Sequence, residues 1–324
     1  MKEEKHAMLS RRNQTRIKDG STNTDRRNTT MTTFKTGVHT IEFQTNKYIK
    51  LSDLPPAYGD AIKPEGKKHY RLNITKLPGM QEYNSPADAQ KAIEDAFRIF
   101  VDMGAGYPKI TRIDYRLDDH NGTYADNLPL MTLLVNLIAY RSGIYDRRVS
   151  YTDGKGVTTS VRCMPDDKDE ITRYGAEYYD KPKQAKTDKY GNARLELRRL
   201  NLSNESVPFI VKEWRDLLQS ITKKEYLSML EAHAQALHST RQDGETATEF
   251  IRKTRGKLIG YEEWNILHKV VGKHTNHYGN AAHLPKWSEM KAFIDDLTAQ
   301  LDEALNQPQV STFHPNLLLN ELPF

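Results

Sequence analysis

Within Ile110 to Asp119, reading ITRIDYRLDD, charge and hydrophobe alternate from Arg112 to Asp118, and within Ala193 to Leu200, reading ARLELRRL, they alternate from Arg194 to Arg198. Successive side chains of a β-strand point to opposite faces. The first segment therefore puts Arg112, Asp114, Arg116 and Asp118 on one face and Ile113, Tyr115 and Leu117 on the other. The second sets Arg194, Glu196 and Arg198 against Leu195 and Leu197. Such a chain needs a sheet with one apolar face to bury. The other face has two readings. Alternation is ordinarily the mark of a solvated face on an antiparallel sheet. Carboxylates mixed with arginines are also what a site for a metal ion and a phosphate requires, and a Tyr178-Tyr179-Asp180-Lys181 segment lies between the two strands.

Around these strands the chain divides into three. Residues 1–33 carry Arg11, Arg12, Arg16, Lys18, Arg26 and Arg27 and little to bury, and read as a disordered basic tail. Residues 34–204 mix both periodicities. Val38 to Phe43 and His69 to Ile74 alternate as strands. Pro86 to Met103 repeats apolar residues at helical spacing behind a Ser85 cap, and Leu128 to Tyr140 is apolar enough for a buried helix. Arg147 to Tyr151 and Thr158 to Arg162 read as a hairpin turned at Asp153-Gly154-Lys155-Gly156. Glu170 to Lys181 and the Ala193 strand complete an α+β fold, a largely antiparallel sheet with helices on one face. Residues 205–324 read as an all-helical C-terminal domain. Its stripes run through Phe209 to Ile221, Tyr226 to Leu237 and Trp287 to Leu305, and are core-forming rather than cofactor-binding.

Composition narrows the class. A formal charge of +5 leans toward polyanionic partners. The single cysteine, Cys163, excludes an intrachain disulfide and a cysteine-based zinc cluster. No apolar run approaches the ~20 residues of a bilayer span, and no signal-peptide core opens the chain, so a cytoplasmic protein away from membranes is expected.

Tyr179 shares its expected strand face with Glu177 and Lys181. A phenol, with a pKa near ~10, attacks poorly unless a base, metal or cation activates it. Lys181, about 6–7 Å along an extended strand, is placed to lend positive potential. The bland alternative is a structural tyrosine, one of 17 in the chain. Asp114 and Asp118 lie about 13 Å apart along a strand and cannot share one ion. Asp114 and Glu196, both mid-strand, are the candidate ligands for Mg2+ or Mn2+, which prefer oxygen.

The segments TRIDYRLDD, YYDKPKQ and ARLELR resemble the Rep_trans family, the replication initiators of rolling-circle plasmids. That family shows Arg-hydrophobic-Asp with a further Asp, then Tyr-x-Lys-x-x-Glu, then Arg-x-Glu. Here these read Arg112-Ile113-Asp114 with Asp118, Tyr179-Asp180-Lys181 with Gln184 in place of the glutamate, and Arg194-Leu195-Glu196. The resemblance implies a nickase fold of the HUH type without its His-hydrophobic-His motif. It implies an endonuclease that nicks and recloses DNA at a plasmid origin through a 5′-phosphotyrosine. Tyr179 is then the nucleophile, Lys181 and Arg194 assist, and Asp114 and Glu196 support the metal. Arg112, Arg116, Arg198 and Lys183 are candidate DNA contacts. Tyr178 or Tyr174 are the alternative nucleophiles. The implied partners are origin DNA with an extruded single-stranded nick site, a host DNA helicase and a second copy of the chain. The C-terminal helices are left with origin recognition or dimerisation.

Filamentous-phage initiators and conjugative relaxases carry similar segments and the same chemistry. Two other classes stay open: a non-enzymatic DNA-binding repressor, and a metal-dependent nuclease using water as nucleophile. His268, His274, His277 and His283 hint at metal but lack a sustained spacing. Arg252, Lys253, Arg255 and Lys257 suit either DNA phosphates or a solvated face.

Overall fold

A computed structural model of the chain describes residues 34–144, 148–152, 158–164, 174–186, 191–200, 202, 205–238, 244–246, 249 and 286–307. The strands are β1 (Phe34–Gln44), β2 (Ile62–Pro64), β3 (His69–Asn73), β4 (Lys109–Asp119), β5 (Arg148–Thr152), β6 (Thr158–Cys163), β7 (Tyr174–Tyr179) and β8 (Ala193–Leu200). They form one eight-stranded sheet in the order β2-β3-β1-β4-β8-β7-β6-β5. Every neighbouring pair is antiparallel. The helices are α1 (Pro56–Gly59), α2 (Pro86–Asp102), α3 (Tyr124–Arg141), α4 (Lys181–Ala185), α5 (Val207–Gln219), α6 (Lys223–His238) and α7 (Trp287–Asn306). The architecture is the expected α+β one.

The apolar face packs under helices. Phe43 of β1 meets Phe97 and Phe100 of α2 at 4.9 and 5.1 Å between ring centroids. Tyr178 of β7 stacks on Tyr124 of α3 at 5.0 Å, and Tyr174 meets Trp214 of α5 edge-on at 5.0 Å. Ile113, Tyr115, Leu117, Leu195 and Leu197 are all buried here, each of the aliphatic ones contributing about 1.5–3 kcal/mol. α5, α6 and α7 join the same apolar cluster: Ile210, Trp214, Tyr226, Met290, Leu297 and Leu301 are continuous with the sheet's core.

Local signals account for the helix starts. Ser85 accepts from the Asp88 amide at the N-terminus of α2 with Pro86 in the first turn, and Thr123 with Asp126 makes a capping box on α3. Ser206 caps α5, where Pro208 sits in the first turn. Two expectations move. β7 stops at Tyr179 and Lys181 opens α4, because Asp180 caps a helix by accepting from the Lys183 amide and Pro182 has no amide to give to a sheet ladder. The first strand also runs further, through Phe34–Gln44, with a bulge at His39.

The tail 1–33, the Asp153-Gly154-Lys155-Gly156 turn, residues 170–173, the Arg252–Lys257 stretch and the His268–His283 cluster lie outside the described residues. Among the described residues no helix is long and apolar enough to cross a membrane.

Candidate active site

The charged face of the sheet is buried, not solvated. Asp114 is 3% exposed, Arg116 and Asp118 are at 0%, Arg194 is at 1% and Glu196 at 6%. Ions taken out of water are tolerated only when paired, and the register supplies the pairs. One row across the sheet runs Lys35, Asp118, Arg194, Tyr179, Ser160 over β1, β4, β8, β7 and β6. The next runs Gly37, Arg116, Glu196, Glu177, Arg162. A third sets Thr40, Asp114 and Arg198 beside Gly175.

Three arginines organise these rows. Arg194 donates from Nε and Nη2 to the two oxygens of Asp118 at 2.5 and 2.8 Å. Arg112 grips Asp114 in the same way at 2.7 and 2.6 Å and reaches Glu42 at 3.0 Å. Arg198 donates to Glu177 at 2.8 Å and Glu196 at 2.7 Å and lies 3.8 Å from Asp114. It is the positive centre of a three-carboxylate cluster.

Tyr179 lies on this face, as its position predicts, and Tyr178 on the other. The Tyr179 hydroxyl donates to Glu196 Oε1 at 2.7 Å, while Tyr178 donates to the Tyr124 carbonyl at 3.2 Å. Tyr179 is 4% exposed. Burial, and then the adjacent Glu196 charge, push its phenol well above its ordinary pKa. Glu196 goes the other way, to about 2, because the Arg198 charge and the hydrogen bonds from Arg198 and Tyr179 outweigh the cost of burial. The proton therefore rests on the phenol in the free protein. Lys181 Nζ sits 5.5 Å from the centre of the Tyr179 ring, reaching it from the first turn of α4 rather than along the strand. Burial, and then Arg194, lower its pKa.

The structure adds residues that the sequence pattern did not single out. The bulge in β1 between Val38 and Thr40 turns His39 as well as Thr40 toward the ionic face. Its Nδ1 lies 2.8 Å from Thr40 Oγ1. Burial is the main cause that lowers its pKa to about 3; Glu196 opposes this, and Arg194, Arg116 and Lys181 add to it. The imidazole is therefore neutral and next to Glu196. A signal exists in the sequence: Val38 is apolar but out of phase with the apolar pair Ile41 and Phe43, as a one-residue insertion in the strand would make it. Glu82 and Tyr83, from the loop before α2, cover Arg116, with Tyr83 also donating to Asp118 at 3.2 Å.

The candidate metal ligands are close to the site but committed. Both Asp114 oxygens accept from Arg112, and the two Glu196 oxygens accept from Tyr179 and Arg198. Among the described residues no group of three or more His, Cys, Asp or Glu side chains could hold an ion. As arranged, Asp114 and Glu196 do not fit Mg2+ or Mn2+. Of the candidate DNA contacts, Arg112, Arg116 and Arg198 are internal to the ionic face, and Lys183 is at the surface, its side chain 52% exposed.

No protein-family model and no curated protein matches the chain. Among solved structures, the rolling circle replication initiator protein from Geobacillus stearothermophilus is similar over 74% of this chain and 97% of that one, at 12% identity and a TM-score of 0.31. A superposition that loose leaves function to be argued from the site.

Proposed function

We propose that this chain is a DNA nicking and strand-transfer enzyme of the rolling-circle initiator type, with Tyr179 as nucleophile. The observation that carries the reading is the 2.7 Å hydrogen bond from the Tyr179 phenol to Glu196 inside a ring of cationic side chains. The carboxylate that accepts it lies beside Arg198 and Arg194, with Lys181 over the phenol ring, a positive potential that favours a bound phosphate.

In the proposed reaction the phenol oxygen attacks a phosphodiester phosphorus. The new O–P bond forms as the P–O3′ bond breaks, and the phenol proton passes to the neutral amine of Lys181 while the Glu196 carboxylate orients the hydroxyl. Arg194 offsets charge on the phosphoryl oxygens. Lys181, with its lowered pKa, gives a proton to the departing O3′. The products are a 5′-phosphotyrosyl link and a free 3′-hydroxyl, and reversal of the same steps recloses a strand. The face is closed in the free protein, so the substrate strand must part Tyr179 from its cover. The proposal extends to plasmid origin DNA with an extruded single-stranded nick site, a host helicase and a homodimer. The same chemistry in a phage initiator or relaxase differs only in setting.

The test is a covalent-adduct assay with supercoiled origin DNA, run with Mg2+ or Mn2+ and again in EDTA. A protein–DNA adduct is expected for the native chain and none for Tyr179→Phe. Cleavage without any attached protein would point to water as nucleophile. DNA binding with neither adduct nor cleavage would leave the repressor reading. An adduct retained by Tyr179→Phe would move the nucleophile to Tyr174 or Tyr178.

A further inference from the structure

Arg112 and Arg194 each turn the Nε and Nη2 edge of the guanidinium, its two-pronged fork, onto a carboxylate. Arg116 lies between them on the same face, is fully buried, and does not. Its Nη1 pairs with Glu82, its flat face lies 4.9 Å from the centre of the Tyr83 ring, and its Nε and Nη2 meet no hydrogen-bond acceptor. A buried guanidinium with two unmet donors is costly, and that edge is the one that matches two oxygens of a carboxylate or phosphate. Arg194 Nη1 also lacks an acceptor and lies 3.7 Å from Glu196, the partner of Tyr179. Glu82 differs from every other carboxylate on this face: its side chain is 37% exposed and comes from a loop.

We propose that the Nε/Nη2 edge of Arg116, with Nη1 of Arg194, is a phosphate subsite for the DNA strand cleaved at Tyr179, and that Glu82 is the anion the strand displaces. The subsite rests on the reading of Tyr179 as nucleophile for its purpose, but not for its existence. Gly37 stands opposite Arg116 on β1, and the space over it is taken by Asn84, which follows Glu82 and Tyr83 in the same loop and bonds the Val38 backbone. Lifting Glu82 and Tyr83 uncovers the Arg116 guanidinium, one register row from Arg194. Strand binding and opening of the face then become one event, because the incoming phosphate takes over the charge that Glu82 leaves.

The experiment is thermal unfolding of the full chain in inorganic phosphate against chloride at equal ionic strength, followed by displacement with a short single-stranded oligonucleotide. The native chain is expected to be stabilised by phosphate, and the oligonucleotide to compete for the same site. Arg116→Lys, which keeps the charge and loses the fork, should bind phosphate roughly tenfold more weakly. Glu82→Gln, which removes the competing carboxylate from the surface side, should bind it up to roughly fivefold more tightly. If Arg116→Lys does not fold, Glu82→Gln carries the test: an unchanged phosphate affinity there overturns the subsite. Equal phosphate affinity in Arg116→Lys and the native chain also overturns it, as does phosphate that the oligonucleotide cannot displace. A lost phosphate response with an intact Tyr179 adduct sinks the subsite alone. A retained response without the adduct sinks the nucleophile alone.

Discussion

On one side of β4 and β8, Ile113, Tyr115, Leu117, Leu195 and Leu197 disappear under helices; on the other, Asp114, Arg116, Asp118, Arg194 and Glu196 disappear under one another. The first side is held by area removed from water and tolerates changes of shape in proportion to the volume lost. The second is held by pairing, and a single deletion strands a charge in a low dielectric. Equal burial thus conceals unequal fragility. The adjacent residues Tyr178 and Tyr179 sample both: one phenol ends on a carbonyl among rings, the other on a carboxylate among cations.

The comparison breaks first at Arg194. Arg194→Ala leaves Asp118 buried without its bidentate partner and is expected to cost about 3–5 kcal/mol in urea unfolding. Replacing both by apolar residues should recover much of that; a pair loss equal to the sum of the single losses would show that the two do not act as a unit. On the apolar side Leu117→Ala should cost about 2–5 kcal/mol, with no dependence on pH. The sharper contrast is with His39. Its pKa in the fold is about 3 against an ordinary 6.5. A depressed histidine is protonated first in the unfolded chain, so stability falls as pH drops below 6.5, by at most about 1.4 kcal/mol per pH unit. Urea midpoints from pH 6.5 to about 5 should therefore slope less in His39→Gln than in the native chain. Equal slopes would place His39 in water. The smallest effect belongs to the helix over the apolar face: Ser85→Ala removes the α2 cap and should cost about 1 kcal/mol by the same measurement.

Much of this was legible beforehand, for a physical reason. β8 spans Ala193–Leu200 and β4 spans Lys109–Asp119 because strict alternation over a two-faced sheet leaves no other register. The facing of Tyr179 and Tyr178 follows from the same rule. What alternation cannot say is how a charged side is satisfied: solvent, metal and internal pairs look identical in a string of residues. The charged face, for which solvation and a site were both open readings, proved to be a closed ionic one because β1 and β8, far apart in sequence, flank β4 and bring acids and arginines together. Lys181 was misplaced since an Asp-Lys-Pro sequence caps a helix more readily than it continues a strand. His39 escapes the alternation pattern because a bulge is a one-residue exception to it.

That exception carries a consequence for length variation. Val38 still opposes Tyr115 and Thr40 still opposes Asp114 on either side of residue 39. Excising it would straighten the ribbon without sliding either half, so a chain one residue shorter should assemble as before and lack only an imidazole.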